Sequence, residues 1–136
     1  MTEIGRKGPF ESVHADSARQ EVAPDHSKVS ILSATSHASM IVARLNPGEI
    51  SAAVRHRTVD ELWFCLRGRG RMWRSWDGVE EVTRLVAGQS VNLPVGTAFQ
   101  FRCDGDAPLE VLIATIPSWP GEGEAVSVEG RWMPTG

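Results

Sequence analysis

Between residues 28 and 116 the chain alternates short apolar, β-branched runs with turn residues. Runs at 29–32 and 39–45 come first, and Asn46-Pro47-Gly48 breaks the second. Further runs cover 50–57, 61–67 and 71–76. Asp77-Gly78 follows, a hairpin signal because both positions tolerate positive φ. The pattern continues over 79–86, 90–93, 98–103 and 109–116, with Ala87-Gly88, Pro94-Val95-Gly96 and Asp104-Gly105-Asp106 between the runs. No segment sustains a helical period. Strands of this length and spacing predict an all-β sandwich or barrel.

The run at 61–67 carries a second message. Side chains alternate across a strand, so Glu61, Trp63, Cys65 and Arg67 share one face, and Leu62, Phe64 and Leu66 the other. The second set is wholly apolar and needs a cover. A second subunit could supply it, or the chain's own ends with Trp119 and Trp132. If Glu61 faces a barrel interior, Trp63 does too. If Phe99 faces in, so do Phe101 and Cys103. The Gly68-Arg69-Gly70 reversal loses the parity, so either Arg71 with Trp73 or Arg74 with Trp76 borders the interior.

The ends read differently. Residues 1–27 are polar and aperiodic and are expected to form an arm, with a helical turn near 17–21 stopped by Pro24. Residues 117–136 hold Pro117, Pro120, Gly121 and Gly123 beside Trp119 and Trp132. They are expected to form a tail packed on the barrel rather than a free linker. The single domain would then be 28–116. With 136 residues a sizeable core is available. A net charge of −3 argues against a nucleic-acid partner. No apolar run is long enough to span a membrane and no secretory pattern follows Met1, so a cytoplasmic protein is expected. Cys65 and Cys103 are then free thiols, inert within apolar strands.

Two spacings carry the chemistry. Gly48, five residues, Val54, one residue, His56, four residues, Glu61, six residues and Gly68 form the first. Gly88, five residues, Pro94, one residue, Gly96, two residues, Phe99, three residues and Cys103 form the second. Together they resemble the two motifs of the cupin superfamily over about residues 38–116. The resemblance implies a double-stranded β-helix, or jelly roll, that is commonly a homodimer. It also implies a divalent metal (Fe, Mn, Ni or Zn) held in the lumen by three histidines and a glutamate. Here His56 and Glu61 stand at two of those ligand positions, while Val54 and Phe99 stand where histidines would be and Cys103 replaces an asparagine. Catalytic metal sites generally use three protein ligands. The family-type site is therefore expected to be absent or weak, and the chain to be a small-molecule-binding cupin. His56 and Glu61 would serve as acid and base, or as ligands of an incomplete metal site. Arg55, Trp63, Arg71, Trp73, Phe99 and Phe101 are the expected ligand-binding residues. The alternative is a metal-dependent enzyme of isomerase, lyase or dioxygenase type acting on a small carboxylated or aromatic substrate. Six of the 14 basic residues lie between Arg55 and Arg74. They form either a solvated strand face or an anion-recognising mouth.

Overall fold

The computed structural model describes residues 8–136. In chain order the strands are β1 Gln20–Val22, β2 Lys28–Ala34, β3 Ser39–Leu45, β4 Val54–His56, β5 Asp60–Arg67 and β6 Arg69–Trp76. They continue as β7 Val79–Val86, β8 Ser90–Leu93, β9 Ala98–Cys103, β10 Leu109–Ile116 and β11 Ala125–Ser127. One sheet has the order β1-β2-β3-β10-β5-β8 and the other β11-β4-β9-β6-β7. All pairings between these strands are antiparallel. This is the jelly roll that the strand spacing and the motif resemblance imply.

The turn signals act where expected. Asp77 and Gly78 have φ of 48° and 81°, which closes the β6–β7 hairpin. Gly68 marks the point where the chain leaves the first sheet for the second. Its φ is 83°, and a Cβ there would lie 2.4 Å from the Pro108 carbonyl oxygen. Only glycine fits that position without strain.

Two expectations need correcting. The run at 50–57 is a strand only over Val54–His56. Before it, Ser51 N donates to Phe101 O at 2.9 Å and Ala52 N donates to Asp25 O at 2.8 Å, so the backbone finds partners outside a regular ladder. Residues 17–21 are not a helical turn. A 3-10 turn occupies Ala15–Ser17, and the chain is already extended as β1 by Gln20 because β2 offers it a partner, with Glu21 opposite Val29.

The core lies between the sheets. Trp63, Phe99, Phe101, Met72, Leu85 and Leu109 are fully buried there. Trp63 meets Phe101 edge to face with ring centroids 4.9 Å apart. The β6–β9 register sets Met72 against Phe101 and Arg74 against Phe99. Arg71 and Trp73 therefore share the opposite, outer face with Arg102 and Gln100. The C-terminal segment lies on that face. Gln100 Oε1 accepts from the Arg131 and Trp132 amides at 2.9 Å each, and its Nε2 donates to the Ser51 and Trp132 carbonyls at 2.8 Å each. Arg71 and Arg102 both lie over the Trp132 ring, at 5.6 and 5.2 Å from its centroid.

Candidate ligand chamber

Between the sheets at one end of the barrel is a cavity of about 300 Å³, at the lower end of the range for small-molecule pockets. Its walls include Val54, His56, Glu61, Trp63, Phe99 and Trp119. Strand alternation explains the first five. Val54 and His56 are buried and flank the exposed Arg55 on β4. Glu61, Trp63 and Cys65 are buried on β5 while Leu62, Phe64 and Leu66 point outward. Phe99 stands directly opposite Val54 on β9.

The polar end of the chamber is a histidine–carboxyl pair. His56 Nδ1 lies 3.7 Å from Glu61 Oε2, and both side chains are almost fully buried. Glu61 Oε1 accepts a hydrogen bond from Trp63 Nε1 at 2.9 Å. Burial raises the Glu61 carboxyl to about 8. Burial also lowers His56 to about 4, against the pull of Glu124. At neutral pH the two therefore face each other as a protonated acid and a neutral imidazole. Such a pair can give a proton at one atom and take one at the other.

Both shifts affect stability. A carboxyl raised on folding stabilises fully below its ordinary 4.5, and that contribution is lost as pH rises through about 8. A histidine lowered on folding contributes above 6.5 and loses it as pH falls through about 4. The two oppose each other between 4.5 and 6.5, and above that Glu61 dominates of the pair. Burial raises the Asp25 carboxyl as well. Melting temperature is expected to fall between pH 6.5 and 8, by up to about 1.4 kcal/mol of stability per pH unit for each titrating group. Glu61→Gln should make that fall shallower. An unchanged slope in differential scanning calorimetry would place the titration elsewhere.

The structure brings His56, Glu61, Trp63 and Phe99 together, with Phe101 behind Trp63 in the core. It does not bring in Arg55, Arg71 or Trp73. Arg55 is exposed. Arg71 binds Asp104 on the outer face, Nε to Oδ2 at 2.7 Å. Trp73 donates to Glu80 at 2.8 Å on that same face. The Arg74–Trp76 pair has the inward parity, yet Arg74 is taken up by Asn92, Glu81 and Thr83 at the barrel's edge, and Trp76 is exposed. Arg67, expected inward, is 72% exposed and paired with Glu110, because a register shift at Glu110 ends the alternation. Of the six basic residues between Arg55 and Arg74, Arg67, Arg71 and Arg74 are paired with carboxylates, and none of the six lines the chamber.

Sequence reasoning missed Asp25, Thr115 and Trp119. Asp25 lies in the turn between β1 and β2 and lines the chamber, its Oδ1 accepting from Ser27 N at 3.0 Å and Ser27 Oγ at 2.7 Å. Aspartate followed two residues later by serine is a turn signal. It says nothing about an interior position. Trp119 is anchored by its amide, which donates to Ser39 Oγ at 3.0 Å, and its ring meets His56 at 5.1 Å.

A jelly roll with an aromatic chamber between its sheets defines the class, and a family comparison gives it a name. The cupin domain family model matches residues 41–115, so the chain belongs to the cupin family. No curated protein matches the sequence. A Bacillus halodurans protein of known structure is similar, with a TM-score of 0.63 at 19% identity over 73% of this chain and 76% of that one. A Bacillus subtilis oxalate decarboxylase, described for its Mn(II) centres, superposes with a TM-score of 0.69 at 19% identity over 81% of this chain. CapF, solved with the inhibitor 3-isopropenyl-tropolone, superposes with a TM-score of 0.68 at 18% identity over 82% of this chain. This chain spans only 30% and 34% of the length of those last two. Likeness at these identities speaks for the fold alone.

The family implies a divalent metal, and the donor set can be tested against it. Among the described residues no group of three or more His, Cys, Asp or Glu side chains is placed to hold a metal ion. Val54 and Phe99 put hydrocarbon where two imidazoles would be needed. The residues present do not fit the group. Nor, among the described residues, is any helix long and apolar enough to cross a membrane.

Proposed function

We propose that this chain is a small-molecule-binding cupin in which an aromatic chamber takes the place of the metal centre. One observation carries the reading: Val54 and Phe99, at the two exchanged ligand positions, are walls of the same cavity that His56 and Glu61 line. Exchanging two imidazoles for apolar groups removes metal donors and adds apolar contact surface in one step. Ligand contacts come from Trp63, Phe99 and Trp119, with His56 and Glu61 giving direction and, for a reactive ligand, acid–base chemistry. A homodimer formed through the outer face of β5 is part of the proposal. The Mn(II) centres of oxalate decarboxylase favour a second reading, a metal-dependent enzyme of isomerase, lyase or dioxygenase type. It would need a further protein ligand beyond His56 and Glu61.

Trp119 offers the test, since it lines the chamber from outside the strands and is only half-buried. Small aromatic compounds that raise the melting temperature of the parent protein should lose about tenfold in affinity in Trp119→Ala, or about 1.4 kcal/mol. The unliganded melting temperature should stay within about 5 °C of the parent. Unchanged affinity in calorimetric titration would show that the compounds bind elsewhere.

A further inference from the structure

We infer that the chamber selects a protonated amine carried on a compact apolar or aromatic group. The inference rests on the chamber being a ligand site, and it adds the class of ligand. Its starting point is a pair of buried acids that no cation among the described residues faces. Glu61 comes from β5 and Asp25 from the turn between β1 and β2, and they are 4% and 7% exposed. Glu61 commits Oε1 to Trp63 Nε1, leaving Oε2 with His56 Nδ1 at 3.7 Å, beyond hydrogen-bond length. Asp25 commits Oδ1 to both Ser27 donors. Among the described residues, Glu61 Oε2 and Asp25 Oδ2 receive no hydrogen bond.

Buried carboxylates are normally paired. Of the described arginines and lysines, only Arg19 borders the cavity, and its side chain is 73% exposed and paired with Glu21 at 3.1 Å. Among the described residues, therefore, no fixed cation faces the two acids from within. The remaining walls suit a cation as well. Phe99 and Trp119 meet the His56 ring at 5.2 and 5.1 Å, and Trp63 meets Phe99 at 5.7 Å, so aromatic rings line the space around the acids. Aromatic faces attract an ammonium group most strongly when it is desolvated. Its N–H groups would meet the two unused carboxyl oxygens in charge-assisted hydrogen bonds. A carboxylated ligand would instead bring a further acid to a wall where the described residues place no interior cation.

Benzylamine, benzyl alcohol and benzoate share one ring and differ in the charge of the head group. Each can be titrated at pH 7 into the full-length protein with tryptophan fluorescence as the readout. Benzylamine is expected to bind about tenfold or more tighter than benzyl alcohol, with benzoate weakest. Glu61→Gln and Asp25→Asn should each remove most of that preference, bringing the ratio of benzylamine to benzyl alcohol affinity down towards one. Asp25→Asn keeps the test in force if Glu61→Gln does not fold. Benzyl alcohol or benzoate binding as tightly as benzylamine, in a manner sensitive to Trp119→Ala, would overturn the inference and leave the chamber reading standing. A preference for benzylamine that both carboxamide variants retain would likewise overturn it. Saturation by none of the three would overturn both.

Discussion

Replacing Phe64 with Glu is expected to convert the protein from a dimer to a monomer. Phe64 is 44% exposed in the isolated chain, between Leu62 at 53% and Leu66 at 42%. The neighbouring strands extend the patch. Phe64 lies opposite Leu112, which in turn lies opposite Val42, and Leu62 and Met40 both lie opposite Ala114. The described C-terminal tryptophans do not cover it, since Trp119 is in the chamber and Trp132 is on the outer face of the other sheet. A contiguous apolar sheet face of this kind marks an interaction site. The twofold symmetry of a homodimer presents it to a copy of itself. A stable interface needs roughly 800 Å² from each partner, so the patch would form its centre rather than its whole extent. A glutamate at Phe64 would enter such an interface twice, and each buried, unpaired charge costs several kcal/mol. The fold should tolerate the change, because the side chain faces away from the core. Light scattering at micromolar concentration should report twice the chain mass for the parent and one chain mass for Phe64→Glu. A monomer mass for the parent would rule out the dimer.

The second large effect is a gain. Val54→His with Phe99→His should complete a divalent-metal site in the chain. Val54 and His56 are two apart on β4 and line the same cavity, Phe99 lies across from Val54, and Glu61 completes the set. Three imidazoles and a carboxylate exceed the three protein ligands typical of catalytic metal centres. Losing the Phe99 ring from its contacts with His56 and Trp63 should cost about 1–3 kcal/mol, which bound metal can offset. Mn(II) or Zn(II) should raise the melting temperature of the double variant and leave that of the parent unchanged. Equal shifts in both proteins would mean that the exchanged positions do not decide metal binding.

Much of this architecture is legible in the sequence. The glycine and proline spacings around His56–Gly68 and Gly88–Phe99 encode turns, and turn chemistry is local. The alternation along β5 was equally local, and it placed Glu61 and Trp63 correctly against Leu62 and Phe64. What stayed hidden depends on distant partners. Arg71 and Trp73 could not be assigned a face because Gly68 and Gly70 carry the chain between sheets. The β6–β9 register then turned both outward. Gly70 is held there by the approach of the Arg102 carbonyl, 1.9 Å from where a Cβ would be. Asp25 and Trp119 lie outside the regular alternation, one in a turn after a three-residue strand and one in an irregular segment. Each reaches the chamber through long-range contacts: the Asp25 carbonyl accepts from Ala52 N, and the Trp119 amide donates to Ser39 Oγ. No periodicity in either segment points inward. The acidic character of the chamber was missed for the same reason, since half of it comes from a stretch that reads as an arm.

The central claim, that an organic chamber has replaced the metal centre, meets its most direct test in the metal content of the parent protein. Tag-free protein can be analysed by inductively coupled plasma mass spectrometry for iron, manganese, nickel and zinc. Far less than one equivalent of any of them is expected, unchanged in His56→Ala. About one equivalent per chain, lost in His56→Ala, would contradict it and make this cupin a metalloprotein.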